Sequence, residues 1–402
     1  MIARKILNRG FGKLFLKTIS LNSDWNITTF NTPDKDITYT FVDNITNQII
    51  KQGVKTTIST DKIKADLSQG NGDTSLYLDV DDNGNGINDI RFWYTHAELS
   101  YIDTDMFPKL TSFWINSGLN VETQINGDFY NLQVFIAYFT KFKGLNLINT
   151  TKLKLIRISG ICEADIPLDI SNNADLEEYA VTGFVSIQNF SLFPKLKIIN
   201  FSNSSLENIP TYINNDVSPN LYYFKINASN AIWDTNNLNL SNLSYVYANI
   251  KKILDINDLR HINEIHYTAH DNIDSIILED FQTKRFYLNI GTNASIESLT
   301  IGDNNLFNTF YIYGLNNISQ ENLDLTKLLN LTSFLTAYTN FGNLQNILVN
   351  NGLNEKIRRF SNLHNSIDWN VKVDNPTDAN NGISPYTTNI WRPYKNHPFN
   401  FY

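Results

Sequence analysis

Disulfide bonds within this chain are excluded, because its 402 residues include a single cysteine, Cys162. Charged residues are scarce, at 18%, and a net charge of −8 argues against nucleic-acid binding as the main activity. No apolar run approaches the roughly 20 residues of a membrane-spanning helix, so no membrane span is expected. The sequence also lacks the serine-nucleophile, P-loop and zinc-protease motifs, and we expect a protein that is not an enzyme.

An apolar pattern, L-x-x-L-x-L, recurs through residues 110–341 with a period of about 22 residues. Its first apolar position falls at Leu110, Leu132, Leu153, Leu176, Leu196, Leu221, Leu243, Ile262, Thr283, Phe307 and Leu331. Because side chains alternate along a strand, the fourth and sixth positions of each copy point to the same side. We therefore expect short stacked strands around one apolar core, with Ile199, Phe224, Val246 and Ile265 on neighbouring turns.

One copy extends this pattern to the full consensus of leucine-rich repeats, L-x-x-L-x-L-x-x-N-x-L. Its matching positions are Ile296, Leu299, Ile301, Asn304 and Leu306. The chain thus resembles a leucine-rich-repeat protein, which implies a mainly β, irregular leucine-rich-repeat-like solenoid over residues 107–349. Solenoids of this kind usually bind other molecules rather than transform them.

The repeats depart from the leucine-rich-repeat consensus in two ways. Most copies lack the asparagine at position 9, so their turn backbone must find other hydrogen-bond partners. The best copy also falls between those that begin at Thr283 and Phe307. Either the frame slips there, or Leu299–Ile301 forms a strand on the opposite face, and Ile276–Leu278 has the same intermediate spacing. Since Asn, Ser, Pro and Thr follow each strand, we expect loops, 3₁₀ turns and short convex strands rather than long helices.

Residues 1–22 form a basic N-terminal arm with no acidic residue before Asp24. A flexible arm, an anchor on an acidic partner subunit and a secretion signal all remain open, although no small-residue cleavage site follows cleanly. Residues 23–106 alternate as an antiparallel β domain, which stands alone as a sandwich or caps the first coil. A hairpin is predicted over Leu76–Tyr94, with its turn at Asn83–Gly86.

The predicted hairpin turn contains the beginning of a calcium-binding loop, D-x-D-x-N-G, at Asp79, Asp81, Asn83 and Gly84. Carboxylate and amide oxygens at alternating positions suit a hard cation. Ile90, however, occupies the twelfth position, where such loops carry a bidentate glutamate. A plain hairpin turn is therefore favoured over a Ca²⁺ site, and no other cofactor is expected.

Imidazole and carboxylate side chains concentrate at His261, Glu264, His266, His270 and Asp271. In the repeat frame His266 faces outward from the sheet and His270 lies in a turn, so their side chains should diverge. A solvated strand is favoured over a metal site.

The repeats also place an aromatic stripe on the solvent side of the predicted sheet. The candidate binding residues are Trp114, Tyr223, Tyr245, Tyr247, His266, Tyr287, Tyr311 and Tyr313. Tyrosine combines a flat apolar ring with a polar tip, which suits sugars and protein surfaces. Cross-strand aromatic ladders also stabilise sheets without any ligand, so both interpretations stay open.

Residues 350–402 lose the period but carry prolines and aromatic residues. An extended C-terminal segment packed on the solenoid or on a partner is favoured over disorder. The Asn- and Ile-rich, cysteine-poor composition and the basic arm resemble virion proteins of tailed phages of Bacteroidetes, the crAss-like group included.

This resemblance implies a virion protein, such as a fibre, spike or decoration protein. Its N-terminal region would contact other virion proteins in an oligomeric assembly. The repeat face would bind a host-surface glycan, a host-surface protein or a neighbouring subunit. A bacterial cell-surface adhesin with leucine-rich repeats is the alternative, and a glycan-degrading enzyme is a third hypothesis.

Overall fold

The computed structural model describes residues 13–18, 22–29, 36–56, 63–66, 74–80, 89–93, 99–103, 110–126, 129–145, 147, 149–159, 170–182, 193–202, 206–209, 218–235, 241–313, 318–320, 322–337, 346–349, 359–362, 370–373 and 400–401. Contacts divide the chain into two compact units, Met1–Asn203 and Ser204–Tyr402. Among the described residues, no helix has the length and apolar composition that a membrane span requires. The predicted domain borders stay predictions.

The first unit begins with short strands that pair mainly antiparallel. They are β1 (Lys13–Thr18), β2 (Asn22–Thr29), β3 (Asp36–Asp43), β4 (Ile49–Thr56), β5 (Ile63–Asp66), β6 (Thr74–Val80), β7 (Asp89–Trp93) and β8 (Leu99–Asp103). β1, within the predicted basic arm, pairs with both β6 and β8. Antiparallel pairing of β3 with β4 and β6, and of β2 with β5 and β7, confirms the predicted antiparallel sheet.

The hairpin predicted over Leu76–Tyr94 is wrong. β6 pairs with β1 along one edge and with β3 along the other, so it has no edge left for β7. β7 pairs instead with β2 and with the first strand of the solenoid. Of the predicted calcium ligands, Asp79 lies in β6, whereas Asp81 and Asn83 lie outside the described residues.

Parallel strands continue the first unit as a solenoid. They are β9 (Ser112–Asn126), β10 (Val134–Leu145), β11 (Leu155–Ser159), β12 (Glu178–Thr182) and β13 (Ile198–Ser202). Each strand pairs in register with the next, so Phe135, Ile156, Tyr179 and Ile199 form one buried ladder. The other edge of β9 pairs with β7 near its start and with β8 near its end.

The second unit has the same parallel architecture. Its strands are β14 (Tyr223–Trp233), β15 (Tyr245–Ile253), β16 (Glu264–Ala269), β17 (Ile273–Leu278), β18 (Arg285–Ile290), β19 (Ile296–Ile301), β20 (Thr309–Tyr313), β21 (Asn322–Asp324), β22 (Ser333–Ala337), β23 (Asn346–Val349), β24 (Arg359–Asn362), β25 (Asn370–Val373) and β26 (Asn400–Phe401). A 3₁₀ turn spans Ile256–Leu259.

The main sheet of the second unit pairs β14, β15, β16, β18, β20, β22 and β24 in parallel. Phe224, Val246 and Ile265 occupy one register position and are fully buried, as the repeat pattern predicts. Phe286 and Phe310 continue this ladder on the next two strands. A repeat solenoid is therefore confirmed, because successive turns bury one apolar spine.

Short strands form a second face of this unit. β17 pairs with β19, and β21, β23, β25 and β26 pair in order. Leu299–Ile301 and Ile276–Leu278 therefore lie on the opposite face, and the repeat frame does not slip. β24, β25 and β26 fall within the predicted C-terminal segment 350–402, where β24 and β25 extend the two faces.

Buried asparagines hydrogen-bond the backbone of neighbouring turns. Asn305 accepts from the Phe281 amide at 2.9 Å and donates to the carbonyls of Leu278 and Gly302 at 2.8 and 2.9 Å. The consensus residue Asn304 is exposed instead, adopts φ 59° and donates to Asp280. The asparagine that satisfies the turn thus lies one position later than the consensus predicts.

Candidate binding face

Strands β14, β15, β16, β18 and β20 present three rows of outward side chains across the main sheet. These residues alternate with the buried phenylalanine and isoleucine positions, which fixes their outward direction. The first row is Tyr223, Tyr245, Glu264, Arg285 and Thr309; the central row is Lys225, Tyr247, His266, Tyr287 and Tyr311; the amide row is Asn227, Asn249, Thr268, Asn289 and Tyr313.

Rings in the central row stack directly on one another. The ring centroids of Tyr247 and His266 lie 4.1 Å apart with an interplanar angle of 20°. His266 and Tyr287 lie 3.8 Å apart at 10°, and Tyr311 meets Tyr287 edge to face at 4.6 Å. Tyr223 joins from the first row, with its centroid 5.4 Å from that of Tyr247.

This stacking turns the ring edges toward solvent. Tyr247, His266 and Tyr287 lie on adjacent strands with nearly parallel planes, so each ring face covers its neighbour. A ligand therefore meets C–H edges and polar tips in the centre of the row rather than open ring faces. Aromatic edges carry partial positive charge, whereas ring faces carry partial negative charge.

Glu264 lies against these rings as a buried carboxylate. Its side chain is 8% exposed. Oε1 accepts from the Tyr247 hydroxyl at 2.9 Å and lies 2.7 Å from His266 Nε2. Oε2 accepts from Arg285 Nη1 at 3.2 Å. One carboxylate thus connects two members of the central row with the arginine beside it.

These contacts shift the ionisation of the cluster. Burial opposes the charge on Glu264, but hydrogen bonds from His266 and Tyr247, together with the positive charge of Arg285, hold its pKa below the usual value. Burial lowers the pKa of His266, and the Glu264 carboxylate only partly opposes that shift. Burial and the bond to Glu264 raise the pKa of Tyr247. At neutral pH the cluster therefore holds one carboxylate, one guanidinium and a neutral imidazole.

The amide row provides hydrogen-bonding groups next to the rings. Asn249 donates to the side-chain oxygen of Asn227 at 2.7 Å. His270, just after the end of β16, lies beside this row, with Nε2 2.5 Å from Asn249 Oδ1. His270 and His266 therefore diverge, as the repeat frame predicts. Within the described residues, no group of three or more His, Cys, Asp or Glu side chains is placed to hold a metal.

The predicted binding residues fall into two sets. Those from Tyr223 to Tyr313 lie on this one face of the second unit. Trp114 lies on β9 in the first unit, half-buried and in register with Ile136. Their role in binding stays a prediction.

Glu264 belongs to this face, although the sequence pattern indicates it only as a possible metal ligand. Its position two residues before His266, on the same side of a strand, is the signal that could have identified it. The whole face holds a rigid array of aromatic edges, amides and two exposed cations, Lys225 and Arg285.

Comparison with protein families, curated proteins and solved structures finds no match to this chain.

Proposed function

We propose that this chain is a non-enzymatic binding protein whose three-row face on the second unit docks a ligand. The observation that carries the proposal is the stacked central row, Tyr247, His266, Tyr287 and Tyr311, on the solvent side of a rigid parallel sheet. Stacking already restricts the rotamers of these side chains, so ligand binding costs little additional side-chain entropy on the protein.

The biological setting of this face is proposed to be a phage virion. The support is the composition, rich in Asn and Ile and poor in cysteine, together with the basic beginning of the chain. In this setting residues 1–106 contact other virion proteins, and many copies of the face bind a host-surface glycan, a host protein or a neighbouring subunit with avidity. The leucine-rich-repeat type of the solenoid belongs to the same proposal, supported by the period of about 22 residues in the sequence.

A bacterial surface adhesin with leucine-rich repeats is the alternative, since a repeat face needs no particle around it to bind a ligand. Immunogold labelling with antibodies against this chain separates the two settings. Label on purified phage particles supports the virion protein. Label confined to the bacterial envelope contradicts it and supports the adhesin.

The binding face itself is tested by substitution. Tyr311→Ala should weaken binding of the labelled chain to host cells, because it removes the last ring of the central row. Tyr130→Ala is the matched control, since Tyr130 is 53% exposed and lies in the first unit. Equal binding by the two variants would contradict the proposed face. Release of oligosaccharides from host polysaccharide by the purified chain would contradict a non-enzymatic role.

A further inference from the structure

The three-row face carries charge of the opposite sign to the chain as a whole. Lys225 is exposed, and the Arg285 side chain is 58% exposed. The carboxylate within these rows is Glu264, which is buried and bonded to Arg285. The chain as a whole has a net charge of −8. A local positive surface on an acidic protein attracts anionic ligands selectively.

The orientation of the rings favours the same class of ligand. A neutral sugar stacks its C–H groups on an open aromatic face, but Tyr247, His266 and Tyr287 cover one another's faces. Their exposed edges are electropositive and therefore attract oxygen-rich, negatively charged groups. The central row thus suits carboxylates better than apolar sugar faces.

We propose that this face binds a linear polysaccharide that bears carboxylates, a polyuronate, lying across the strands along the central row. This inference rests on the proposed function, because it names the ligand class of the same face. Lys225 on β14 and Arg285 on β18 are separated by β15 and β16. Three strand spacings separate these cations by roughly 14 Å across the sheet, and Arg285 lies one row to the side, two residues before the central row on its strand, so an extended chain on the central row can contact both.

Arg285 can bind such a ligand while it keeps its hydrogen bond to Glu264. Its Nη1 donates to Glu264, and a guanidinium has five N–H donors, so further donors remain for a carboxylate from solvent. The amide row, which runs parallel to the central row, offers donors and acceptors to sugar hydroxyls along the same direction. An acidic protein segment would match the charges but not this continuous set of hydroxyl partners.

The test compares polygalacturonate with its methyl ester, which has the same backbone without the charge. Equilibrium binding is measured by titration calorimetry with the full chain. We expect binding of polygalacturonate, at least tenfold weaker binding of the ester, and marked weakening when salt is raised from about 0.1 M to about 1 M. Equal affinity for the two polymers, or binding of neither, would overturn the proposal.

Variants locate the site. Arg285→Ala and Lys225→Ala should each weaken polygalacturonate binding, the former roughly tenfold because it loses charge-assisted hydrogen bonds. Lys327→Ala is the control, because Lys327 lies between β21 and β22 and pairs with Asp303 at 3.2 Å. Unfolding curves for each variant show whether the fold is intact. An equal effect of all three variants would overturn the assignment to this face.

Two further outcomes identify what fails. If both polymers bind equally and Tyr311→Ala weakens both, the face binds a ligand but the polyuronate assignment is wrong. If poly-glutamate binds more tightly than polygalacturonate, the occupant is an acidic protein segment and the assignment is also wrong. If polygalacturonate binding survives Tyr311→Ala, Lys225→Ala and Arg285→Ala unchanged, the proposed binding face itself fails.

Discussion

Glu264→Gln removes one charge from the candidate face while almost preserving the shape of the side chain. The glutamine oxygen can still accept from Tyr247 and His266. Its amide nitrogen, however, faces Arg285, so a charge-assisted hydrogen bond becomes a contact between two donors. We expect the second unit to lose stability even though no side-chain volume is removed.

The magnitude follows from the contacts of this carboxylate. Hydrogen bonds to charged groups contribute about 1.5–3 kcal/mol each when buried. Arg285 is 58% exposed, so solvent screens its share strongly, and the bonds to Tyr247 and His266 weaken without being lost. We expect Glu264→Gln to lower the free energy of unfolding by about 1–2 kcal/mol. For a unit of this size, Tm should fall by about 2–8 °C.

Urea unfolding at pH 7, followed by tryptophan fluorescence, measures this loss, since Trp233 is 1% exposed in the second unit. The matched control is Glu297→Gln on the exposed side of β19, for which we expect a change within about 0.5 kcal/mol. If Glu264→Gln and Glu297→Gln give the same free energy of unfolding, the carboxylate does not stabilise the face by its charge.

Acid provides an independent check of the same reasoning. Because the folded state lowers the pKa of Glu264, its contribution is complete above its unfolded pKa, about 4.3, and is lost as the pH falls through the folded value. Without the carboxylate the pKa of His266 falls further, so the difference between wild type and Glu264→Gln should rise somewhat as the pH drops below about 6.5 and then shrink at pH values below about 4.3, as Glu264 itself takes up a proton. A difference that does not shrink at the acid end would refute the assigned hydrogen bonds.

Burial lowers the pKa of His266, so the unfolded chain takes up a proton before the folded chain does, and stability should fall as the pH drops below about 6.5. His266→Phe keeps the ring stack and should abolish this fall in the free energy of unfolding between pH 7 and 5. An unchanged dependence of stability on pH would contradict the assignment to His266. Asn305→Ala should cost about 2–4 kcal/mol, since it leaves buried backbone groups without partners, whereas Asn304→Gly should stay within about 1 kcal/mol. Equal losses of unfolding free energy for these two variants in urea would show that Asn305 does not stabilise the turn. Phe286→Ala should lower the free energy of unfolding by about 3–5 kcal/mol, because it opens a cavity in the core. Leu306→Ala, at a half-exposed side chain, should lower it by less than about 1 kcal/mol, and similar losses for the two variants would argue against one shared core.

The solenoid could be predicted because the apolar pattern that specifies each turn lies within one short stretch of sequence. Each copy must bury its fourth and sixth positions on one side of a strand, and the period repeats that requirement along the chain. Phe224, Val246 and Ile265 accordingly share one buried register position. The same pattern correctly placed Leu299–Ile301 as a candidate for a second face, because its spacing fell between two copies.

The predicted hairpin failed because a turn signal does not identify a strand's partner. The Asn- and Gly-rich segment after Val80 suggested that β6 folds back on β7, yet β6 is flanked by β1 and β3. β1 lies in the predicted arm, more than 50 residues away in sequence, and no local pattern reports such a pairing. The consensus asparagine was misplaced by one residue for a related reason, since burial depends on the neighbouring turn.

By itself, the sequence determined which side chains point outward, because alternation along each strand and the repeat period decide that. Tertiary structure decided what those side chains do to one another. The in-register pairing of β15, β16 and β18 brings Tyr247, His266 and Tyr287 close enough to stack, which hides the ring faces and exposes the edges. The same pairing covers Glu264 and directs it to Arg285. Contacts between separate turns depend on strand register and side-chain rotamers together, and the sequence of a single repeat specifies neither.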